Sequence, residues 1–241
     1  QVIADLYVQA LAANSRIEQL MGHRVVSVRP GNHAGTTWHV RTQSEGTDFE
    51  LGPFDAVVNA LWEGRGAIDA VLGLSRAETW TNRYRLSLFA TATKPLDLNS
   101  AVICVGPFGD VKNYDGRRFY LSWYEAGLQL TSHALYPVPS PVLEEKARDE
   151  VVSRTLAALG AMVPGVQLLA QNLESVEVQG GWVHSAGTGS LHDATSGLHR
   201  RDNIGLSWKD RFFSIDTGKY SIAPWLSLQV ADAVCETVGR P

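Results

Sequence analysis

Apolar residues recur with a helical period near both ends of the chain. Over residues 2–20 this period is followed by Gly22, which predicts an amphipathic helix ended by glycine. Over residues 222–238 it predicts a C-terminal helix, with Pro224 in the first turn, where a missing N–H costs nothing. A third helix is predicted at residues 143–162, because acidic residues stand near its start, at the positive end of the helix dipole.

Strand patterns occupy most of the remaining chain. Residues 54–61 form a continuous apolar run, which is typical of a strand buried in a sheet. From residue 79 to residue 136 the pattern changes to short strand-like runs separated by turns, which predicts an antiparallel sheet. Within this segment the strands are predicted at residues 83–92, 101–105, 118–124 and 127–136. Two further strands are predicted at residues 24–28 and 36–42, and a final hairpin at residues 205–215.

The order of these patterns predicts an α+β fold in two parts. The antiparallel sheet belongs to a part that covers residues 77–182 and includes the helix at 143–162. The other part is discontinuous, since it comprises residues 1–76 and returns at residues 183–241 with the C-terminal helix.

Composition narrows the functional classes. Of the 241 residues, 44% are hydrophobic and 19% are charged, as in a soluble globular protein. The net charge of −4 is mild, and Lys and Arg form no cluster beyond short pairs, so no nucleic-acid partner is predicted. No apolar run approaches the ~20 residues that span a bilayer, and no signal peptide is visible. Cys104 and Cys235 stand in apolar surroundings, so we expect reduced core cysteines in a cytoplasmic protein.

Two glycine pairs are similar to a dinucleotide-binding loop but lack its third glycine. Gly64-x-Gly66 follows a predicted strand and opens a helix, but Asp69 stands at the third position, where its charge is unfavourable beside a pyrophosphate. Gly187-x-Gly189 lacks both the third glycine and a preceding strand. Neither pair predicts a phosphate-binding loop.

A strand, a polar turn and a helix start follow one another near the C-terminus. The strand at residues 211–215 leads into Asp216 and Thr217, and Gly218 then supplies free φ where the chain bends. The helix start that follows presents free backbone N–H groups, which suit a phosphate, a carboxylate or the edge of a flavin ring. The alternative is an ordinary strand–turn–helix with a capped start.

Basic side chains are candidates for binding an acidic substrate. Arg83 and Arg85 share one face of a predicted strand, in a segment rich in aromatic residues that extends to Tyr124. They would bind an acidic substrate or pair with acids across the sheet, and the aromatic residues would wall a site or fill the core. His199 and Arg201 would place a cation near a substrate carboxylate or form a salt-bridged surface pair.

The histidines do not predict a metal site. His184, His192 and His199 lie within sixteen residues, but spacings of eight and seven fit no compact pair of metal ligands. A metal-dependent hydrolase built on this segment is the least favoured alternative. A nucleophilic hydrolase is not indicated either, because the chain has no G-x-S-x-G elbow.

Three segments resemble the FAD-dependent oxidoreductases of the D-amino-acid oxidase-like superfamily. The most specific is residues 216–224, which read DTGKYSIAP. Residues 57–62 read VVNALW, in which the Asn-Ala pair matches and Leu and Trp replace the usual Thr and Gly. The third segment is the strand at residues 24–26. The resemblance covers most of this chain but only the later part of a typical family member, and it implies that the GxGxxG unit would precede residue 1.

The resemblance implies backbone contacts to FAD in the full-length protein. The strand at residues 24–26 would meet the adenine, the segment at residues 57–64 would pass the pyrophosphate, and the C-terminal turn would close on the isoalloxazine. The cofactor-binding residues predicted on this basis are Val25, Val26, Asn59, Ala60, Leu61, Gly64, Thr217, Gly218, Lys219, Tyr220 and Ser221.

The resemblance also implies an activity. Residues 1–76 and 183–241 would be an incomplete FAD-binding, Rossmann-like portion, and residues 77–182 would cover the ring and select a small-molecule substrate. The full-length protein would oxidise a small amine, amino acid or hydroxy acid by hydride transfer to flavin. This chain alone is expected to be inactive and to lack bound FAD; the alternative is a non-catalytic remnant that acts as a binding or assembly module. A homo-oligomer is left open.

Overall fold

The computed structural model describes residues 2–31, 36–74, 79–104, 108–136, 138–193, 195–199, 204–218 and 220–239. Its α-helices are α1 (Val2–Ala13), α2 (Arg65–Val71), α3 (Tyr124–Gly127), α4 (Glu145–Gly160), α5 (Val166–Gln171) and α6 (Ala223–Val238). Its strands are β1 (Arg24–Pro30), β2 (Trp38–Ser44), β3 (Thr47–Phe54), β4 (Val57–Asn59), β5 (Trp80–Ala92), β6 (Ala101–Ile103), β7 (Gly109–Asn113), β8 (Arg118–Trp123), β9 (Leu128–Ser132), β10 (Leu173–Ala186), β11 (Gly205–Lys209) and β12 (Phe212–Asp216).

The chain forms two compact units. Unit 1 comprises residues 1–59, 207–214 and 228–241, and unit 2 comprises residues 60–206 and 215–227. The division into parts at residues 76 and 182 stays a prediction. None of the helices in the described ranges is long and apolar enough to cross a membrane.

Unit 1 contains an antiparallel meander in the order β1-β2-β3. The turn between β2 and β3 is Glu45-Gly46, and both residues have positive φ (49° and 80°). This is the geometry that joins twisted antiparallel strands with two residues. A separate sheet pairs β4 with β12 in parallel, with Phe212 opposite Val57. The predicted strand at residues 54–61 is therefore wrong at both ends, because Phe54 ends β3 and a bend at Asp55 separates it from β4.

Helix α1 is shorter than predicted. It ends at Ala13, and the side-chain oxygen of Asn14 accepts a hydrogen bond from the backbone N–H of Arg16 (3.0 Å). Such a local bond offers the backbone an alternative to the helical hydrogen bond and so ends the helix. Three apolar side chains of α1 are more than half exposed, namely Ile3, Leu6 and Val8.

Unit 2 is built on the predicted antiparallel sheet. The strand order is β10-β5-β8-β7-β6, and β9 also pairs with β5. β5 pairs with β10 along its whole length. The even-numbered residues of β5 from Leu86 to Ala92 are buried, which places Arg83 and Arg85 on the opposite face.

Helices cover the core face of this sheet. α4 confirms the helix predicted at residues 143–162, whereas α5 and strand β7 were not predicted from the sequence. α5 is only six residues long, too short to show a clear helical period. The core residues that have no exposed surface include Leu88, Val111, Leu121, Leu159, Val166 and Leu169.

Candidate functional site

A cavity of about 350 Å³ lies in unit 2 beside the face of β5 that carries the two arginines. Its lining brings together Arg83, Arg85 and Tyr124, three of the residues predicted to bind substrate. The remaining wall is mostly apolar, with one carboxylate from Asp110. The other lining residues are Val102, Ile103, Cys104, Phe108, Gly109, Val183, Leu191 and Leu198.

Hydrogen bonds and stacking hold the two guanidinium groups in place. Arg85 lies 4.0 Å from the Tyr124 ring centroid and Arg83 lies 5.4 Å from it, both measured from Cζ. Arg83 donates to the Ser185 hydroxyl (2.7 Å), and Arg85 donates to the Ser122 hydroxyl (3.0 Å). Two fixed cations on one wall suit an anionic guest, because a guanidinium matches the geometry of a carboxylate.

Asp110 is coupled to this wall through Ser122. The Ser122 hydroxyl accepts from Arg85 and donates to Asp110 Oδ2, also at 3.0 Å. Among the described lining residues, two guanidiniums and one carboxylate carry charge, so positive charge is in excess.

Tyr124 presents a buried hydroxyl group at the cavity. The residue is 8% exposed, and its hydroxyl makes no hydrogen bond of ordinary geometry with the residues that the structure describes. Burial raises the pKa of Tyr124, and the opposing effects of Arg83 and Arg85 are smaller. The phenol is therefore neutral at physiological pH, and its O–H can donate a hydrogen bond.

A second group of charges, which we call the Arg65 cluster, consists of Arg65, Asp69 and Asp216. Arg65 Nη1 lies 3.1 Å from Asp69 Oδ2, and Nη2 lies 2.8 Å from Asp216 Oδ2. The three side chains are 14%, 6% and 9% exposed. Asp216 Oδ1 also accepts a hydrogen bond from the Gly218 backbone N–H (3.0 Å). The cluster thus ties the segment after β4 to the turn after β12.

The parallel pairing explains why these two segments meet. Ser214 of β12 lies opposite Asn59 of β4, so the strands end at the same edge of their sheet. Ala60 and Leu61 follow one strand end, and Thr217 follows the other. The carboxyl ends of parallel strands are where open α/β sheets bind nucleotide ligands. Ala60, Leu61 and Thr217 therefore follow neighbouring strand ends, and the cofactor contacts predicted for them stay predictions.

His184 lies beside the Arg65 cluster. Its Nδ1 is 2.8 Å from Asn82 Oδ1, and its ring meets the Trp62 ring edge-on at 6.2 Å. Burial lowers the pKa of His184; the charge of Asp216 raises it and that of Arg65 lowers it further. The imidazole is consequently neutral at physiological pH. No group of three His, Cys, Asp or Glu side chains in the described part of the chain could hold a metal ion.

The edge fits the ring of a flavin better than its phosphates. Leu61 is 37% exposed there, and Ala60 is also exposed, which offers apolar surface to a planar ring. The Gly218 N–H is already bonded to Asp216, and among the described residues the Arg65 cluster holds one guanidinium and two carboxylates. These carboxylates would repel a pyrophosphate.

Gly218 is required for this geometry. Its φ is +57°, and a Cβ atom would lie 2.6 Å from Ile204 Cγ2. Both the positive φ and the close approach favour glycine, as the polar turn predicted.

The remaining residues that were predicted to bind cofactor or substrate lie away from the cavity and the Arg65 cluster or outside the described residues. Val25 and Val26 lie on β1 in the antiparallel meander, and Gly64 ends a short 3₁₀ turn before α2. Tyr220 and Ser221 begin the 3₁₀ turn before α6, and both are exposed. Lys219, Arg201 and the side chain of His199 lie outside the described residues, and the contacts predicted for all of these residues stay predictions.

The sequence reasoning missed Arg65 as a site residue. The spacing of Arg65 and Asp69, four residues apart on a helix, was a signal for a local ion pair. The contact between Arg65 and Asp216 spans 151 residues and had no local signal.

Comparison with known proteins identifies the fold. No protein-family model and no curated protein matches the chain. Among solved structures, the flavin-dependent brominase Bmp2 has a TM-score of 0.53 and 10% sequence identity, over 99% of this chain and 56% of that one. The chain has the fold of a flavin-dependent enzyme. At this identity the likeness concerns the fold alone.

Two further neighbours are described as complexed with FAD or dependent on it. A glycerol-3-phosphate dehydrogenase from Bacillus halodurans complexed with FAD has a TM-score of 0.48 and 17% identity, over 89% of this chain and 38% of that one. The FAD-dependent oxidoreductase PA4991 from Pseudomonas aeruginosa has a TM-score of 0.45 and 16% identity, over 86% and 50%. The chain thus spans 38% to 56% of the length of these three neighbours.

Proposed function

We propose that this chain is part of a FAD-dependent oxidoreductase of the D-amino-acid oxidase-like superfamily. The complete enzyme oxidises a small amine, amino acid or hydroxy acid by hydride transfer to flavin. The observation that carries the proposal is the cavity of unit 2, in which Arg83, Arg85 and a neutral buried Tyr124 face apolar residues. The fold shared with a flavin-dependent brominase supports it.

The cavity residues divide the work of binding a carboxylate substrate. The guanidiniums of Arg83 and Arg85 bind the carboxylate, and the Tyr124 hydroxyl donates a hydrogen bond to it. The apolar wall receives the remainder of the substrate and excludes water. Asp110 faces a positively charged or hydroxyl group of the substrate.

The edge next to the Arg65 cluster holds the flavin ring. FAD, when bound, supplies the hydride acceptor. The exposed Ala60 and Leu61 contact the ring, and the Asp216–Gly218 hydrogen bond fixes the turn against which its edge lies. In the incomplete Rossmann-like portion, Val25 and Val26 contact the adenine and Asn59 contacts the pyrophosphate.

One observation favours a non-catalytic binding or assembly module instead. Trp62 stands where the family has glycine, and its indole N–H donates to the backbone carbonyl of Trp182 (3.0 Å). The side chain is therefore anchored at the point where a phosphate would need close approach to the backbone.

A spectroscopic titration separates these functions. The visible spectrum of the purified chain is recorded before and after addition of excess FAD and after removal of free FAD. A flavin enzyme retains shifted flavin bands, and Gly218→Val weakens the retention. Gly22→Val is the matched control, because Gly22 also has a positive φ (74°) but has no atom near its Cβ position.

A second step tests the reaction. Chain with bound FAD is mixed anaerobically with 2-amino and 2-hydroxy carboxylates, and bleaching of the flavin reports hydride transfer. Arg85→Gln is expected to raise the concentration of carboxylate needed for bleaching. This chain alone is expected to lack bound FAD, so a negative result is decisive only in the full-length protein. Absence of both FAD retention and bleaching there would favour the non-catalytic module.

A further inference from the structure

Cys104 shares the cationic cavity of unit 2. The sequence predicted a core cysteine, but Cys104 is exposed, because it follows the last residue of the edge strand β6. It lines the same cavity as Arg83, Arg85 and Tyr124. Its Sγ makes only a weak contact with the Val102 carbonyl oxygen, at 3.9 Å.

A second observation shows that this cavity is built for a polar guest. Among the described residues, neither the buried Tyr124 hydroxyl nor the buried Arg85 Nε has a hydrogen-bond partner of ordinary geometry. Buried polar groups normally have a partner, so an unpartnered donor that lines a cavity indicates a ligand there. The guanidiniums on the same wall favour an anion.

A thiol in such surroundings has an identifiable chemistry. Reactive cysteines are partly exposed and lie in electropositive surroundings, and the thiolate is the attacking form. An anionic disulfide would be concentrated in this cavity by the arginines, next to the Sγ atom.

We propose that Cys104 is a site of reversible thiol–disulfide exchange with small carboxylate-bearing disulfides, which Arg85 and Arg83 select. The Cys104 thiolate attacks one sulfur of the disulfide; a new S–S bond forms to Sγ, and the original S–S bond breaks. The leaving thiolate takes up the proton that Cys104 released. One disulfide is consumed and one is formed, so no further oxidant is needed. The inference does not rest on FAD binding.

The test compares a charged with an uncharged disulfide on a single thiol. The chain has two cysteines, so Cys235→Ser leaves Cys104 as its only thiol. Rate constants are measured with 5,5′-dithiobis(2-nitrobenzoate), which carries a carboxylate on each ring, and with uncharged 4,4′-dithiodipyridine. The ratio of the two rate constants cancels the intrinsic reactivity of the thiol. Division by the same ratio for 2-mercaptoethanol then removes the intrinsic difference in reactivity between the two disulfides.

The expected normalised ratio is about tenfold in favour of the anionic disulfide, which corresponds to about 1.4 kcal/mol of attraction between its carboxylate and the guanidiniums of the cavity. Arg85→Gln lowers it by roughly fivefold, and 1 M salt lowers it in the parent protein. Arg148→Gln removes the same charge from the exposed side of α4, outside the cavity lining, and leaves the ratio unchanged.

Two results would overturn the inference. One is a normalised ratio near one in the parent protein. The other is an unchanged ratio in Arg85→Gln whose circular dichroism shows the parent fold. If Arg85→Gln does not fold, Arg85→Lys and the salt series are used instead. A ratio that is retained in Arg85→Lys and lost in salt supports selection by charge. A ratio that does not change with salt contradicts it.

Discussion

Replacement of Arg65 by Met should destabilise the protein strongly. The guanidinium contacts Asp69 at 3.1 Å and Asp216 at 2.8 Å, and these carboxyl side chains are only 6% and 9% exposed. Met fills a similar volume, so the main change is that two poorly solvated carboxylates lose their shared counterion. Removing one partner of a buried ion pair costs about 3–5 kcal/mol. That is a large share of the roughly 5–15 kcal/mol by which domains are stable.

Urea denaturation followed by circular dichroism measures this loss as a change in the free energy of unfolding. Arg154→Met is the matched control, because Arg154 forms an ion pair with Glu150 at 3.7 Å in which both side chains are more than half exposed. An exposed pair contributes about 0–1 kcal/mol. The control should therefore lose at most about 1 kcal/mol.

A further set of variants tests the stated cause. If the cost comes from the unpaired carboxylates, adding Asp69→Asn and Asp216→Asn to Arg65→Met should recover a large part of the loss. A loss below about 1 kcal/mol in Arg65→Met, equal to that in Arg154→Met, would refute the argument that burial makes this cluster important.

Three other changes have expected outcomes. Gly218→Val should cost about 2 kcal/mol in urea denaturation, because it adds a positive-φ strain and a clash with Ile204, and Ile204→Ala should relieve part of the cost. The pKa of His184 is lower in the folded protein than in the unfolded chain. As the pH falls below about 6.5, the imidazole is therefore protonated in the unfolded chain before it is protonated in the folded protein, which favours unfolding. The free energy of unfolding should then decline by up to about 1.4 kcal/mol per pH unit more steeply in the parent than in His184→Gln; parallel profiles would contradict this. Leu88→Ala, with no exposed surface at Leu88, should cost about 2–5 kcal/mol, and Leu128→Ala at a 36% exposed position much less.

The parts of the fold that repeat a local pattern could be predicted from the sequence. Helices α4 and α6 begin within two residues of the predicted positions, because their apolar residues follow the helical period over four turns. The antiparallel sheet of unit 2 was predicted from alternating residues and turns. In β5 this alternation also placed Arg83 and Arg85 on one face, which is why the cavity wall could be predicted.

Features that depend on distant residues or on a local competitor could not be predicted. The side chain of Asn14 ends α1 although apolar residues continue beyond it. The exposure of Cys104 depends on β6 lying at the edge of the sheet, and strand order is not written in the local pattern. The Arg65–Asp216 contact requires the parallel pairing of β4 and β12.

The described residues of the two charged sites of unit 2 carry opposite excesses of charge, and on this basis we assign the sites to different parts of the proposed reaction. In the cavity, two guanidiniums face one carboxylate, and the Arg85 Nε has no hydrogen-bond partner among the described residues. In the Arg65 cluster, one guanidinium faces two carboxylates and is bound by both. An anion is therefore attracted to the first site and repelled from the second. Arg85 variants should consequently change the affinity for carboxylates with little effect on retention of FAD, whereas Gly218 variants should do the reverse.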